Sequence, residues 1–343
     1  MQTTWFWILA CMLTAYAVLD GFDFGAGIVY LFVAKADDER RTVLGAIGPL
    51  WDGNEVWLLA AGGVLVFAFP RVYAAAFSGL YLPLMIVLWL LILRGISIEF
   101  RSKSKNPLWR AAWDTTFAES STAMAVVLGV AAGNLVRGVP LDASGYFHED
   151  LFAGLRSTYG GAIDPFTVAF GIFGLVALGA HGATFLVWKT EGAVNRRSRV
   201  VARRLWQATL GIALLATALT ALFAPAFFAT LRQRIVLWPL PVLAMASGVL
   251  SLRWVSTERE LPAFVASCSF LASFLVATAG ALYPTILRST VNPAFSLDVE
   301  NAASARSGLS LGLFLWTPAI VLSVGYFTYL FRTFRGKAGQ GHY

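Results

Sequence analysis

Four acidic residues and one arginine lie in stretches of sequence that are otherwise apolar enough to enter a lipid bilayer. Asp20 and Asp23 belong to LDGFDFGAG, Asp52 and Glu55 belong to IGPLWDGNEVWLLAAGG, and Arg94 opens RGISIEFRSK. A carboxylate at mid-membrane costs about 2.5–3.5 kcal/mol on insertion scales, so these groups need a reason to be there. Acids inside a membrane commonly bind and release protons. The sequence therefore predicts a proton pathway, with these five side chains as its candidates.

The spacing of Asp52 and Glu55 places both carboxyl groups on one face of a helix, because residues three apart lie on the same side. That face is expected to look inward at other helices or at water. The side that carries Val56 and Leu59 is expected to meet apolar surroundings.

Small, amide and aromatic residues beside the acids are predicted to pack the helices together. Gly21 and Gly25 form a GxxxG pattern, which lets another backbone approach closely. Trp51 and Trp57 are expected at a helix interface, and Asn54 is expected to hydrogen-bond between helices. The alternative for the acids is also structural: neutral or arginine-paired carboxyl groups would fix the register of the helices.

Composition restricts the class of protein. Of the 343 residues, 58% are hydrophobic and only 13% are charged, whereas about a quarter of a soluble protein is charged. A polytopic membrane protein fits this composition. The net charge of +7 does not indicate nucleic-acid binding, because the basic residues lie between apolar spans.

Cysteine and histidine are too scarce for a metal centre within the membrane. The two cysteines, Cys11 and Cys268, cannot hold an iron–sulfur cluster. Of the three histidines, His148, His181 and His342, only His181 falls in an apolar span. The chain cannot supply both axial ligands of an intramembrane bis-histidine haem, so we predict no metal site and no directly bound cofactor.

Nine apolar segments each have about the length needed to cross a bilayer. The predicted spans cover residues 4–32, 47–69, 74–94, 115–136, 164–188, 205–230, 235–252, 261–287 and 307–331. With the N-terminus outside, 19 of the 26 Lys and Arg residues fall on the inner side, as the positive-inside rule requires. The C-terminus is then cytoplasmic, and residues 189–204 are expected to form a solvated, lipid-facing basic loop.

This orientation brings ionisable groups of five helices to the cytoplasmic half of the membrane and predicts an inward-facing polar funnel. Beyond the five candidates, the funnel would include Glu99, Asp114, Glu119 and His181. A weak sequence similarity between residues 181–189 and 23–35 suggests two four-helix bundles plus one further helix. The predicted divisions are a first half with the buried acids (1–136), an outer loop (137–163), a second half (164–287), and an outer loop, ninth helix and cytoplasmic tail (288–343).

The blocks just quoted resemble a known family, subunit II of the cytochrome bd-type quinol oxidases of bacteria and archaea. WDGNEVW at 51–57 and RGISIEFR at 94–101 are the most specific matches, and DPFTVAFG at 164–171 and HGATFLVWKTEG at 181–192 extend the resemblance through the chain. The resemblance implies an obligate partner, subunit I, that carries two b-type haems and one d-type haem, oxidises quinol and reduces oxygen to water. It also implies a multi-pass protein of the cytoplasmic membrane that holds no haem and no catalytic residue itself.

Further implications of the resemblance concern protons and residues. The family takes protons for water from the cytoplasm and builds a membrane potential without pumping. Asp23 and Asp52 match family carboxylates implicated in proton uptake, and Arg94 matches a basic residue near them. Glu55 stands where some relatives have Gln, and Arg288 replaces a small hydroxyl residue. A structural quinone in this chain and small single-helix accessory subunits remain open.

The sequence is also compatible with two other functions. A proton-coupled secondary transporter shares buried acids and a possible repeat, and it would bind its substrate near mid-membrane in this chain alone. A purely structural subunit would use the acids for assembly with its sister subunit. Beyond the sister subunit, the expected surroundings are membrane lipid and quinol, with no nucleic acid.

Overall fold

The computed structural model of the protein describes residues 1–147 and 161–338. Within these ranges the chain forms twelve α-helices. They are α1 (Gln2–Val33), α2 (Asp37–Ile47), α3 (Trp51–Ala68), α4 (Pro70–Gly79), α5 (Tyr81–Arg101), α6 (Pro107–Arg137), α7 (Pro165–Lys189), α8 (Gly192–Phe223), α9 (Pro225–Gln233), α10 (Pro239–Ser256), α11 (Glu260–Leu282) and α12 (Arg306–Thr333). His148, Arg156, His342 and Tyr343 lie outside the described residues.

Among the described residues, eight helical segments are long and apolar enough to cross a membrane, and the bent pair α3 and α4 makes a ninth if it is one span. The prediction of an all-α polytopic membrane protein with about nine transmembrane helices is confirmed. The division into two four-helix halves stays a prediction, and so does the orientation of the termini.

The predicted span over residues 47–69 is too long at its start and ends at a sharp bend. A short amphipathic helix, α2, follows α1, and α3 begins only at Trp51. After Ala68 the chain turns by 120° into α4, because Pro70 has no N–H to continue the helix and restricts the residue before it. The predicted span over 74–94 is therefore displaced, and α5 occupies Tyr81–Arg101 instead.

The prediction of a basic loop over residues 189–204 is wrong, because α8 already begins at Gly192. Two of its arginines, Arg197 and Arg199, contact partners on other elements. Arg197 pairs with Glu39 of α2, and Arg199 donates to the Val255 carbonyl of α10 at 2.9 Å and pairs with Glu260 of α11 at 2.9 Å. These contacts stabilise the charged first turns of α8.

A small two-stranded antiparallel sheet lies in the segment between α11 and α12. Strand β1 (Thr285–Leu287) pairs with β2 (Leu297–Asp298). The predicted span over 261–287 is therefore too long, since α11 ends at Leu282.

Helices α1 and α7 form the centre of the bundle. Helix α1 packs against α3, α6, α7 and α11, and α7 packs against α6 and α8. The backbones of α1 and α7 touch where Gly25 faces Gly182, so a Cβ atom at either position would overlap the other helix. This contact fixes the depth at which the acids of α1 meet the neighbouring helices.

Candidate functional site

Arg94 of α5 joins two carboxyl groups from two other helices. Its guanidinium lies 2.7 Å from an oxygen of Asp20 on α1 and 2.5 Å from an oxygen of Glu55 on α3. The side chains of Arg94 and Asp20 are completely buried, whereas that of Glu55 is 23% exposed. The Arg94 guanidinium also stacks 4.1 Å from the ring centroid of Phe24, a cation–π contact.

Asp23 lies one turn further along α1 and is also completely buried. The amide of Asn54 donates to its Oδ2 at 2.7 Å and to the carbonyl of Leu19 at 3.1 Å. The other carboxylate oxygen of Asp23 has no hydrogen-bond partner among the described residues, and neither do Asn54 Oδ1, Trp57 Nε1 and the Tyr16 hydroxyl. Buried polar atoms of this kind are the usual partners of internal water.

We refer to Asp20, Asp23, Asn54, Glu55 and Arg94 as the acid cluster. The cluster contains three carboxyl groups and one guanidinium, which pairs with Asp20 and Glu55, so it holds more acid than cation. A carboxyl that takes up a proton becomes neutral and can donate a hydrogen bond. Because an unpaired charge inside a membrane is costly, protonation of one of these carboxyl groups lowers the cost of burying the cluster.

Asp52 does not join the acid cluster. It lies in the first turn of α3, its side chain is exposed, and no ion pair links it to any described residue. The expectation that Asp52 and Glu55 look inward together is wrong for Asp52, because α3 begins at Trp51 and leaves this carboxylate at the end of the helix. There the N–H groups of a helix N-terminus favour a negative charge.

The residues predicted to pack helices occupy different contacts. Gly25 lies against Gly182, and a Cβ at Gly21 would come 3.0 Å from a methyl group of Leu178 on the same helix. Trp51 and Trp57 are partly buried. Trp57 lies 5.6 Å from the ring of Phe327 on α12, and the Trp51 ring would lie 3.3 Å from a Cβ at Gly95 on α5.

Asp114 of α6 is a buried carboxyl group outside the acid cluster, and it was not predicted to have its own set of partners. The Tyr30 hydroxyl donates to Asp114 at 2.6 Å, as do Arg40 and Arg101 at 2.6 Å each. Arg101 follows Arg94 by seven residues, or two helical turns, so both guanidinium groups leave the same face of α5. That seven-residue spacing was the signal that could have predicted this second group.

The other members of the predicted funnel do not meet the acid cluster. Glu99 and Glu119 are exposed. His181 is buried, with Nε2 2.9 Å from the carbonyl of Val18 and Nδ1 2.7 Å from the hydroxyl of Ser267. In neutral His181, Nε2 donates to the carbonyl and Nδ1 accepts from the hydroxyl. The expectation of a single funnel formed by five helices is therefore wrong, because the described acids divide into separate groups.

Helix α2, which lies outside the candidate spans, carries acids held in their charged form. The hydrogen bond from Arg197 lowers the pKa of Glu39 to about 2. Burial acts to raise the pKa of Asp37, but the hydrogen bond and charge of Arg101, with Arg110 and Arg41, hold it below its usual value. In the described ranges no group of His, Cys, Asp and Glu side chains could hold a metal ion.

Comparison with known proteins matches nearly the whole chain to one family. The family model described as cytochrome bd terminal oxidase subunit II matches residues 1–334. The chain is 31% identical to the cytochrome bd ubiquinol oxidase subunit 2 of Bacillus subtilis, covering 97% of this chain and 96% of the relative. It is 30% identical to the cytochrome bd-I ubiquinol oxidase subunit 2 of Escherichia coli strain K12, covering 94% and 91%.

The fold matches as well. The structure of bd oxidase from Geobacillus thermodenitrificans contains a chain that superposes with a TM-score of 0.77 at 19% sequence identity. The match covers 97% of this chain and 98% of the other.

Proposed function

Because the chain belongs to the cytochrome bd terminal oxidase subunit II family, we propose that it is the haem-free subunit of a complex that oxidises quinol and reduces oxygen to water. Subunit I is its partner and holds two b-type haems and one d-type haem. His181 supports this assignment, because both of its ring nitrogens are engaged by groups of this chain. The complex resides in the cytoplasmic membrane of a bacterium or archaeon, with the N-terminus of this chain outside.

The chain supplies part of the route by which protons for water formation leave the cytoplasm. The observation that carries this proposal is the gradient of exposure along α3 and α1. Asp52 is exposed, the Glu55 side chain is 23% exposed, and Asp20 and Asp23 are completely buried. A proton accepted at Asp52 moves through Glu55 and Asp20 to Asp23, while Arg94 limits the negative charge at each step.

The reaction builds a membrane potential without pumping. Two quinol molecules would supply four electrons, by way of the haems that subunit I would hold, and would release four protons at the outer side. One oxygen molecule would take up these four electrons and four protons from the cytoplasm to form two waters. Charge therefore crosses the membrane even though no proton is carried all the way across. This chain's contribution is to admit protons while its apolar helices exclude bulk water.

The complex is tested by gentle purification through an affinity tag on this chain, followed by a visible difference spectrum and by oxygen uptake with added quinol. Bands of haem b and haem d together with quinol-dependent oxygen uptake are expected. A stable preparation of this chain without haem and without oxygen uptake would contradict the proposal.

The first step of the route is tested by the variant Asp52→Asn, with Asp38→Asn on the exposed surface of α2 as its control. Oxygen uptake by Asp52→Asn should fall and its pH dependence should change, while haem content stays at the wild-type level. If instead Asp52→Asn lowers haem content and leaves turnover per haem unchanged, the role of this acid is structural.

A further inference from the structure

One face of α8 is left uncovered by the rest of the described chain. Its exposed side chains share an arc of roughly one third of the helix circumference, at 100° per residue. They include Arg196, Arg203, Arg204, Gly211, Leu214 and Leu215. We call these six residues the α8 face.

The α8 face changes character along its length. Its first part is basic, and its second part is apolar, with Leu214 62% exposed and Leu215 54% exposed. From Arg204 to Leu214 the helix rises by about 15 Å, which is half of the hydrocarbon thickness of a bilayer. The arginines and leucines are therefore spaced like the headgroup and the acyl region of one leaflet.

The arginines of the α8 face have no acidic partner among the described residues. Their neighbours Arg197 and Arg199 point to other elements and are used there, by Glu39 and Glu260. By contrast, Arg196, Arg203 and Arg204 form no ion pair and no side-chain hydrogen bond within the described ranges.

Other charges at this end of the bundle leave it positive. Arg199 reaches the Val255 carbonyl, which brings the end of α10 beside the start of α8. Arg253 near the end of α10 and Arg259 beyond it are exposed. Against them stand the exposed acids Glu191 and Glu258, while Glu260 is already shared by Asn195, Arg199 and Lys337.

We propose that the α8 face binds an anionic phospholipid. Arg203 and Arg204, with Arg196, contact the lipid phosphate, since guanidinium groups bind phosphate with paired hydrogen bonds. An acyl chain lies along Leu214 and Leu215. Gly211 carries no side chain and lies between the two regions on an open surface, because no other part of the described chain lies within 4 Å of where its Cβ would be.

The proposal goes beyond the oxidase function and is tested on the intact complex by native mass spectrometry. Phosphatidylglycerol and phosphatidylcholine with the same acyl chains are titrated separately. The double variant Arg203→Gln/Arg204→Gln should bind phosphatidylglycerol about thirty-fold more weakly, with little change for phosphatidylcholine. Arg203→Lys/Arg204→Lys should bind phosphatidylglycerol more tightly than the glutamine variant and more weakly than the wild type, because the charge remains but the paired hydrogen bonds of the guanidinium groups are lost.

Arg306→Gln is the matched control. Arg306 is exposed at the start of α12. The opposite end of α12 is the one that lies beside Lys189, near the start of α8. Arg306→Gln should leave binding of phosphatidylglycerol unchanged. A further variant, Gly211→Trp, places a bulky side chain on the open surface at Gly211 and should weaken binding without changing charge. Equal binding of both lipids by the wild type, or unchanged binding by Arg203→Gln/Arg204→Gln, would overturn the proposal.

Discussion

Replacing Arg94 with leucine should destabilise the assembled protein more than any substitution of an exposed arginine. The change removes the ion pairs to Asp20 at 2.7 Å and Glu55 at 2.5 Å and the stacking on Phe24. Glu55 remains 23% exposed, but Asp20 is left completely buried without a cation. Breaking a buried ion pair by removing one partner costs about 3–5 kcal/mol.

The double variant Asp20→Asn/Arg94→Leu removes the buried charge together with its partner. It should lose less than the sum of the two single variants, with a coupling of about 2 kcal/mol. The free energy of unfolding is measured in mixed micelles with increasing SDS, with Arg332→Leu at the exposed end of α12 as the control. Additive losses, or a cost for Arg94→Leu no larger than that of the control, would refute the buried ion pair.

Three further predictions concern helix packing, hydrogen bonds and an ion pair outside the acid cluster. Gly25→Ala should strongly reduce the yield of assembled protein, because the added Cβ overlaps α7, whereas Gly211→Ala on the open face of α8 should not; equal yields would contradict this contact. Asp114→Asn should cost about 3 kcal/mol of unfolding free energy, since three donors lose a charged acceptor, and a cost below about 1 kcal/mol would argue against it. Glu39 has its pKa lowered to about 2 by Arg197, so its stabilisation is present above the usual pKa of 4.5 and is lost as the pH falls toward 2. The difference in melting temperature between wild type and Glu39→Gln should therefore be constant from about pH 8 to 5 and shrink below about pH 4; a difference that stays constant in acid would contradict this ion pair.

The burial of Asp20 and Asp23 could be predicted from the sequence, because apolar residues surround them for more than a full helical turn on both sides. Asp52 shows the limit of such reasoning. Its spacing from Glu55 indicated a shared face, but the start of α3 was placed four residues too early. That shift moves Asp52 from the interior of a span to the first turn of the helix, where it is exposed.

Contacts between distant segments account for the other differences. The arginines at the start of α8 indicated a loop, because their partners Glu39 and Glu260 lie on other elements. The group around Asp114 depends on how α1, α2, α5 and α6 meet, which local patterns do not encode. Periodicity predicts which face of a helix is buried, but the partner on that face follows only from the tertiary packing.

The proton route itself is tested most directly by Asp23→Asn in the purified complex. The measurements are haem content from the visible spectrum and quinol-driven oxygen uptake between pH 6 and pH 9. With haem content unchanged, oxygen uptake should fall about tenfold or more, since a positioned proton-transfer group commonly contributes at least that much. Wild-type oxygen uptake across the whole pH range, with the full haem spectrum, would show that protons reach the partner subunit without the acid cluster.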